Sequence, residues 1–195
     1  MSFSDKTGIA VFASGTGSNA RKIMEYFAGH ATIEVRAVVT NNPAAGVLAH
    51  AHHCGVPSLV ITRSLLADRE WFSRQLTAFG VERIVLAGFL LLIPEYLTRE
   101  YSDRIVNIHP ALLPLYGGKG MYGMHVHDAV KAAGESRTGI TIHLVNERFD
   151  EGRILFQKDI AVESADTPES IAQKVHLLEH AWYPQVIEKW IQGTL

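Results

Sequence analysis

The chain has 195 residues, 47% apolar and 19% charged, with a formal net charge of -2, enough for one well-buried core and short for two. That balance argues against a nucleic-acid-coating role, and no apolar stretch reaches the roughly eighteen residues a membrane span needs. The N-terminus MSFSDKTGIAVFA lacks the basic stretch and long apolar run of a secretory leader, and Cys54 is the only cysteine, so a cytoplasmic protein without an intrachain disulfide is expected.

In chain order, short apolar runs alternate with helical patterns. Gly8–Ala13, Glu34–Val39, Ser58–Ile61, Arg83–Ala87 and Arg104–Ile108 read as buried strands. Between them lie helices over Asn19–Phe27, Ala44–Cys54 (closed by Gly55 and Pro57) and Asp68–Phe79 (closed by Gly80). This alternation predicts an α/β fold: an open, mostly parallel twisted sheet with helices on both faces. After Pro114, Thr138–Val145 and Arg153–Val162 alternate more than they run and read as an antiparallel pair toward the C-terminal part. Asp166 or Thr167 caps a last helix, with Pro168 in its first turn and Ile171, Val175, Leu178 and Trp182 as its apolar stripe. Pro184 is expected to bend or restart it. No repeat or linker divides the chain, which reads as a single domain over 1–195.

Gly15-Thr-Gly17-Ser18-Asn19-Ala20 follows the first strand and opens the first helix, with the spacing of a dinucleotide-binding loop. The second strand, however, ends Val38-Val39-Thr40-Asn41-Asn42 without the carboxylate that would hold a ribose. A dehydrogenase is thereby disfavoured, and a single phosphate on the helix N-terminus is the better fit. The bland alternative is a tight turn with Ser18 capping the helix. Asn107 and His109 stand two apart where a buried strand ends, so both side chains share a face at the edge where α/β sheets bind ligands. Spacing alone leaves a capping asparagine and a satisfied core histidine equally open.

Asn107-Ile-His109-Pro-Ala-Leu-Leu-Pro114, followed by Phe149-Asp150-Glu-Gly152, resembles the signature of the folate-dependent formyltransferases. Adding Gly15–Asn19 and Glu179-His180-Ala-Trp-Tyr-Pro184 narrows the resemblance, over nearly the whole chain, to members that formylate glycinamide ribonucleotide in purine synthesis. It implies a Rossmann-like N-terminal half, 10-formyltetrahydrofolate as co-substrate and no metal. Asn107, His109 and Asp150 would be catalytic; Gly17, Ser18 and Asn19 would hold the acceptor phosphate, and Glu179 its ribose. Folate is expected near Arg69 and along Leu90, Leu91, Leu92 and Ile93, with backbone groups on the pterin edge and apolar side chains over its face. The members that formylate methionyl-tRNA normally carry a further C-terminal domain and the deformylases an N-terminal one, neither expected here. A related formyltransferase or deformylase with another acceptor, and a non-catalytic phosphate-binding module, are the competing readings. The oligomeric state, monomer or homodimer, stays open.

Formyl transfer to an amine needs donors for the developing oxyanion and a route for one proton. Asn107 and His109 supply donors, and Asp150 is expected to raise the His109 pKa and relay the proton. His143, seven positions before Asp150, would support the cluster or be a plain strand histidine. His50, His52, His53 and Cys54 mimic a metal set only superficially, because His52 points away from the His50/Cys54 face of a helix. His125 and His127 begin a helix as surface or lining residues. Two departures stand out: Leu91, where members often carry arginine, and the glycine-rich Tyr116–Met124, longer than the family's usual loop, which reads as a flap or as a loose surface connection.

Overall fold

The computed structural model describes residues 5–195. Along β1 (Thr7–Phe12) every residue after the first is buried, because the strand pairs on both edges, in parallel with β2 (Ile33–Thr40) and with β4 (Arg83–Leu86). α1 (Ser18–Phe27) buries Ala20, Ile23, Met24 and Phe27, the i, i+3, i+4, i+7 stripe of an amphipathic helix. After α2 (Val47–His53) comes β3 (Ser58–Val60), parallel to β2. Next in the chain are α3 (Arg63–Ala67), α4 (Arg69–Ala78), β4, α5 (Glu95–Glu100) and β5 (Ile105–His109). The chain thus steps outward from β1 to β3 and returns to the other side of β1. Right-handed crossovers then put α1 and α2 on one face and the return helices on the other, with the switch point between the carboxyl ends of β1 and β4. Phe12 anchors this core, edge-on to Phe72 at 6.0 Å and to Phe89 at 5.2 Å.

Two compact units are present, Met1–Val106 and Asn107–Leu195. The second holds the end of β5, then α6 (Met124–Ala132), β6 (Arg137–Leu144), β7 (Ile154–Ala161) and α7 (Pro168–Gln192). β6 and β7 are antiparallel, as expected, and the seven strands run in the order β3-β2-β1-β4-β5-β6-β7.

The five parallel-type strands and the last hairpin fall where the apolar runs placed them, within a residue or two. α2 starts three residues later than expected, because the Asn42 side chain accepts the Ala44 N–H at 2.9 Å and holds that segment in a turn. α3 and α5 had no sequence sign: five and six residues are too short for a helical stripe. Thr167 caps α7 in a reciprocal box with Ser170. Pro184 does not restart α7, which runs 25 residues through it. The buried stripe is also not the predicted one. It continues from Ile171 and Val175 through Glu179, Tyr183 and Ile187, a strict i+4 row that leaves Leu178 and Trp182 half-buried; Trp182 stacks instead on Phe156 of β7 at 5.1 Å.

Candidate active site

In the first unit, the chain leaves β1 and enters α1 through Gly15, Thr16 and Gly17. Gly17 is the N-cap at φ 76°, and a Cβ there would lie 2.5 Å from the Val47 Cβ, so both conformation and space demand glycine. No side chain caps α1 and no acidic residue sits in its first turn; Ser18 is the first helical residue, not the cap. The first helix bond is Arg21 N–H to the Gly17 carbonyl at 2.8 Å. A helix start of this kind turns its leading amides and the positive end of its dipole toward an incoming anion.

Ser14, which the sequence reading passed over, ties this loop to the segment after β4. Its Oγ accepts the Leu90 N–H at 2.9 Å and donates to Asn41 Oδ1, while its own N–H donates to the Gly88 carbonyl at 3.0 Å. The Leu90 N–H is thereby engaged by Ser14. Leu90 and Leu92 are 58% and 51% exposed while Ile93 is buried, so this stretch is not ordinary core. Arg69 pairs with Glu100 at 2.7 Å and lines an open groove with Ser73 and Arg74.

In the second unit the polar cluster assembles around the end of β5. Asn107 Nδ2–H donates to His143 Nε2 at 3.1 Å, and His143 gives its Nδ1–H to the Leu144 carbonyl at 2.8 Å. That second bond leaves a lone pair on Nε2, which sets which end of the Asn107 amide faces it. Asp150, between β6 and β7, lies 3.6 Å from His109 Nδ1 (through Oδ2) and 3.5 Å from His143 Nε2 (through Oδ1). His109 donates Nε2–H to the Tyr116 carbonyl at 2.7 Å, and Gly118 N–H donates to Asp150 Oδ2 at 2.9 Å. The glycine-rich segment is therefore no loose connection: its backbone holds both His109 and Asp150. The histidine seven positions before Asp150 supports the cluster directly.

Local features of the surrounding chain accompany this arrangement. The Leu113–Pro114 peptide is cis. Thr141, fully buried, donates to the Ala111 carbonyl at 2.7 Å and accepts the Leu113 N–H at 2.9 Å, and Gln157 Nε2 donates to Thr141 Oγ1 at 2.9 Å and to the Leu113 carbonyl at 3.0 Å. Neither Thr141 nor Gln157 was foreseen, since their signal is one polar position on each of two strands whose pairing the sequence does not print. Asp150 sits at φ 57°, a left-handed conformation that Asp and Asn tolerate best after glycine. The glycine of the Phe149–Gly152 motif packs its Cα on β6, where a Cβ would lie 1.7 Å from the Leu144 carbonyl oxygen that receives His143.

Asp150 acts on the His109 pKa in the expected direction but does not set it. Burial pulls the His109 pKa below the ordinary histidine value, outweighing Asp150 and the Tyr116 carbonyl, which pull the other way. His109 is thus neutral near pH 7. For Asp150, burial favours the acid, but the His143 ring 3.5 Å away and the N–H donated by Gly118, with His109 beside them, outweigh it and hold the carboxyl below its usual value. Glu179 is 8% exposed and accepts from His176 Nδ1 at 2.9 Å, an interaction that raises the His176 pKa. His125 is exposed and His127 buried. Among the described residues no group of three or more His, Cys, Asp or Glu is placed to hold a metal, and no helix is long and apolar enough to cross a membrane.

An open α/β sheet carrying an Asn-x-His strand end against an aspartate defines a class, and comparison with known proteins agrees. The formyl transferase family model matches residues 7–187, and the chain belongs to that family. It is 38% identical to the phosphoribosylglycinamide formyltransferase of Bacillus subtilis, over 92% of each chain. It is 43% identical to the chloroplastic phosphoribosylglycinamide formyltransferase of Arabidopsis thaliana, over 92% of this chain and 63% of that protein. The crystal structure of phosphoribosylglycinamide formyltransferase from Anaplasma phagocytophilum superposes with TM-score 0.87 at 31% identity, covering 96% of this chain and 88% of that one. The Brucella melitensis structure gives 0.84 at 34% identity, covering 95% of each.

Proposed function

We propose that this protein transfers the formyl group of 10-formyltetrahydrofolate to the amino group of glycinamide ribonucleotide, in purine synthesis. The observation that carries the reading is the Asn107–His143 and His109–Asp150 cluster, together with the 38% identity to the Bacillus subtilis formyltransferase over nearly its full length. A single formyltransferase domain over 1–195 is part of the proposal, supported by a family match that runs across the boundary of the two units. Cytoplasmic placement rests on the single cysteine.

The roles combine the groups present with the resemblance to the family. Gly17, Ser18 and Asn19 hold the acceptor phosphate at the start of α1, and Glu179 its ribose. The exposed faces of Leu90 and Leu92 fit an apolar ring system, with the backbone of Leu91 and Ile93 for its polar edge; Arg69, whose groove is lined by none of these residues, is assigned to folate by resemblance alone. The folate supplies an activated formyl carbon. As the amine attacks that carbon, Asn107, its amide oriented by His143, donates its second N–H to the charge developing on the formyl oxygen. Asp150, ionised at pH 7, takes the proton that the amine sheds, directly or through one water, and returns it to the folate nitrogen as the carbon–nitrogen bond to folate breaks. His109 keeps its donor on the Tyr116 carbonyl and turns its Nδ1 lone pair to Asp150 Oδ2, so a proton on Asp150 can be shared between them.

The test is turnover with formylated folate and glycinamide ribonucleotide, following deformylated folate. No turnover with that acceptor, but turnover with another phosphosugar amine or with water, would replace the substrate assignment.

A further inference from the structure

Tyr116 sits at an unusual junction. Its carbonyl receives His109 Nε2–H at 2.7 Å, and its hydroxyl donates to Glu135 Oε1 at 2.7 Å. Its backbone has φ 57°, a left-handed conformation uncommon for a non-glycine residue. Relaxation to negative φ would carry the carbonyl off His109. The far end of the side chain is held as well, by the bond to Glu135. Glu135 is fixed just past α6, where Gly134 turns the chain at φ 68° and Glu135 N–H donates to the Val130 carbonyl at 3.3 Å. The next residue is as constrained: a Cβ on Gly117 would lie 2.5 Å from Leu113 Cδ2 and 3.3 Å from Asp150 Cβ.

We propose that Tyr116 and Glu135 are positioning residues for formyl transfer: the hydroxyl–carboxylate bond keeps the Tyr116 carbonyl on His109 Nε2, so that the imidazole carries its hydrogen there and turns Nδ1 to Asp150. Without that carbonyl, the tautomer with hydrogen on Nδ1 gains the Asp150 carboxylate as acceptor, and the place for the transferred proton is filled in advance. The inference rests on the reading of His109 and Asp150 as catalytic. Besides Tyr116, the charged and titratable groups whose fields reach His109 are Asp150, His143 and Glu179, with His127 of α6. Their residues are unchanged in the variants below.

Tyr116→Phe keeps the ring and removes the anchor. It should lower kcat about tenfold with both KM values within about twofold, the pattern of lost orientation rather than lost binding. The Tyr116 carbonyl raises the His109 pKa, so the limb of the pH profile set by His109 should move to lower pH. Glu135→Leu should match it, and the double variant should be no worse than either alone. Glu135→Gln, whose amide oxygen still accepts, should stay within about twofold of the parent kcat. Nitrogen-15 spectra of the ligand-free full chain should show the His109 hydrogen on Nε2, moving toward Nδ1 in Tyr116→Phe. The proposal is overturned if Tyr116→Phe keeps kcat and tautomer, or if it loses kcat only in step with melting temperature while pH limb and tautomer stay put. Retained turnover in His109→Asn would instead sink the catalytic reading of His109, while leaving the spectroscopic result intact.

Discussion

On the proposed reading, the glycine loop of the first unit and the polar cluster of the second do comparable work by opposite means. Gly15–Asn19 presents backbone: its specificity comes from where a helix begins and from a residue that cannot carry a side chain, with Val47 2.5 Å from the position a Cβ would take. Around Asn107, His109 and Asp150 side chains do the selecting, each oriented by a partner, and the backbone of Tyr116, Gly118 and Leu144 serves as their scaffold. A backbone site of this kind tolerates exchange of polar side chains but not the addition of carbon, whereas the side-chain site fails when a single charge or donor is removed.

The sharpest break between the two should come from Asp150→Asn. Asparagine accepts the left-handed backbone of residue 150 and nearly keeps its volume, but it cannot take a proton. Turnover should fall roughly 10²–10⁴-fold while equilibrium binding of either substrate changes far less. Comparable losses in binding and melting temperature would mark Asp150 as structural.

Gly152→Ala comes next. The added carbon must push against the Leu144 carbonyl, so stability should drop by about 1–3 kcal/mol. Turnover should fall further than that loss of folded protein explains, because the same carbonyl orients His143. Denaturant melts and turnover on one preparation check it, and an unperturbed Asn107–His143 pair would limit the effect to packing.

Gly17→Ala should weaken acceptor binding about tenfold or more and leave folate binding nearly unchanged, since only a phosphate needs that close backbone approach. Calorimetry with each ligand separates this from general damage, which would cost both alike. The smallest effect is a pH dependence of stability confined to the second unit's histidines. Burial lowers the folded-state pKa of both His109 and His127 below 6.5, so between that value and their folded values the unfolded chain binds more protons. The contribution of these two should therefore fall as pH drops below about 6.5, opposite in sign to that of His176, whose pKa is raised by Glu179, and His127→Gln should remove one part of that fall from the melting temperature over that range.

Much of the site was legible because its signals are local. A glycine pair at a strand-to-helix turn, an asparagine and histidine two apart at a strand end, and Asp-x-Gly before the last strand are each read within a few residues. What stayed hidden depends on partners far apart in the chain. Ser14 works through Leu90, Thr141 and Gln157 through the turn ending in the cis bond, and Tyr116 through Glu135. Glu179 was assigned by resemblance alone, although a carboxylate falling in register with Ile171, Val175 and Tyr183 marks a buried polar position once the i+4 row is recognised.

By itself the sequence determined the alternation of buried strands and amphipathic helices, the parallel order it implies, and the residue types offered at each strand end, because hydrophobic period and turn chemistry are properties of neighbouring residues. Only the tertiary structure decided which nitrogen of His109 carries its hydrogen, that burial outweighs a nearby carboxylate in setting its pKa, and that the glycine-rich segment folds onto His109 and Asp150. Those outcomes depend on desolvation and on hydrogen bonds between residues tens of positions apart, quantities that do not exist until the chain has closed around them.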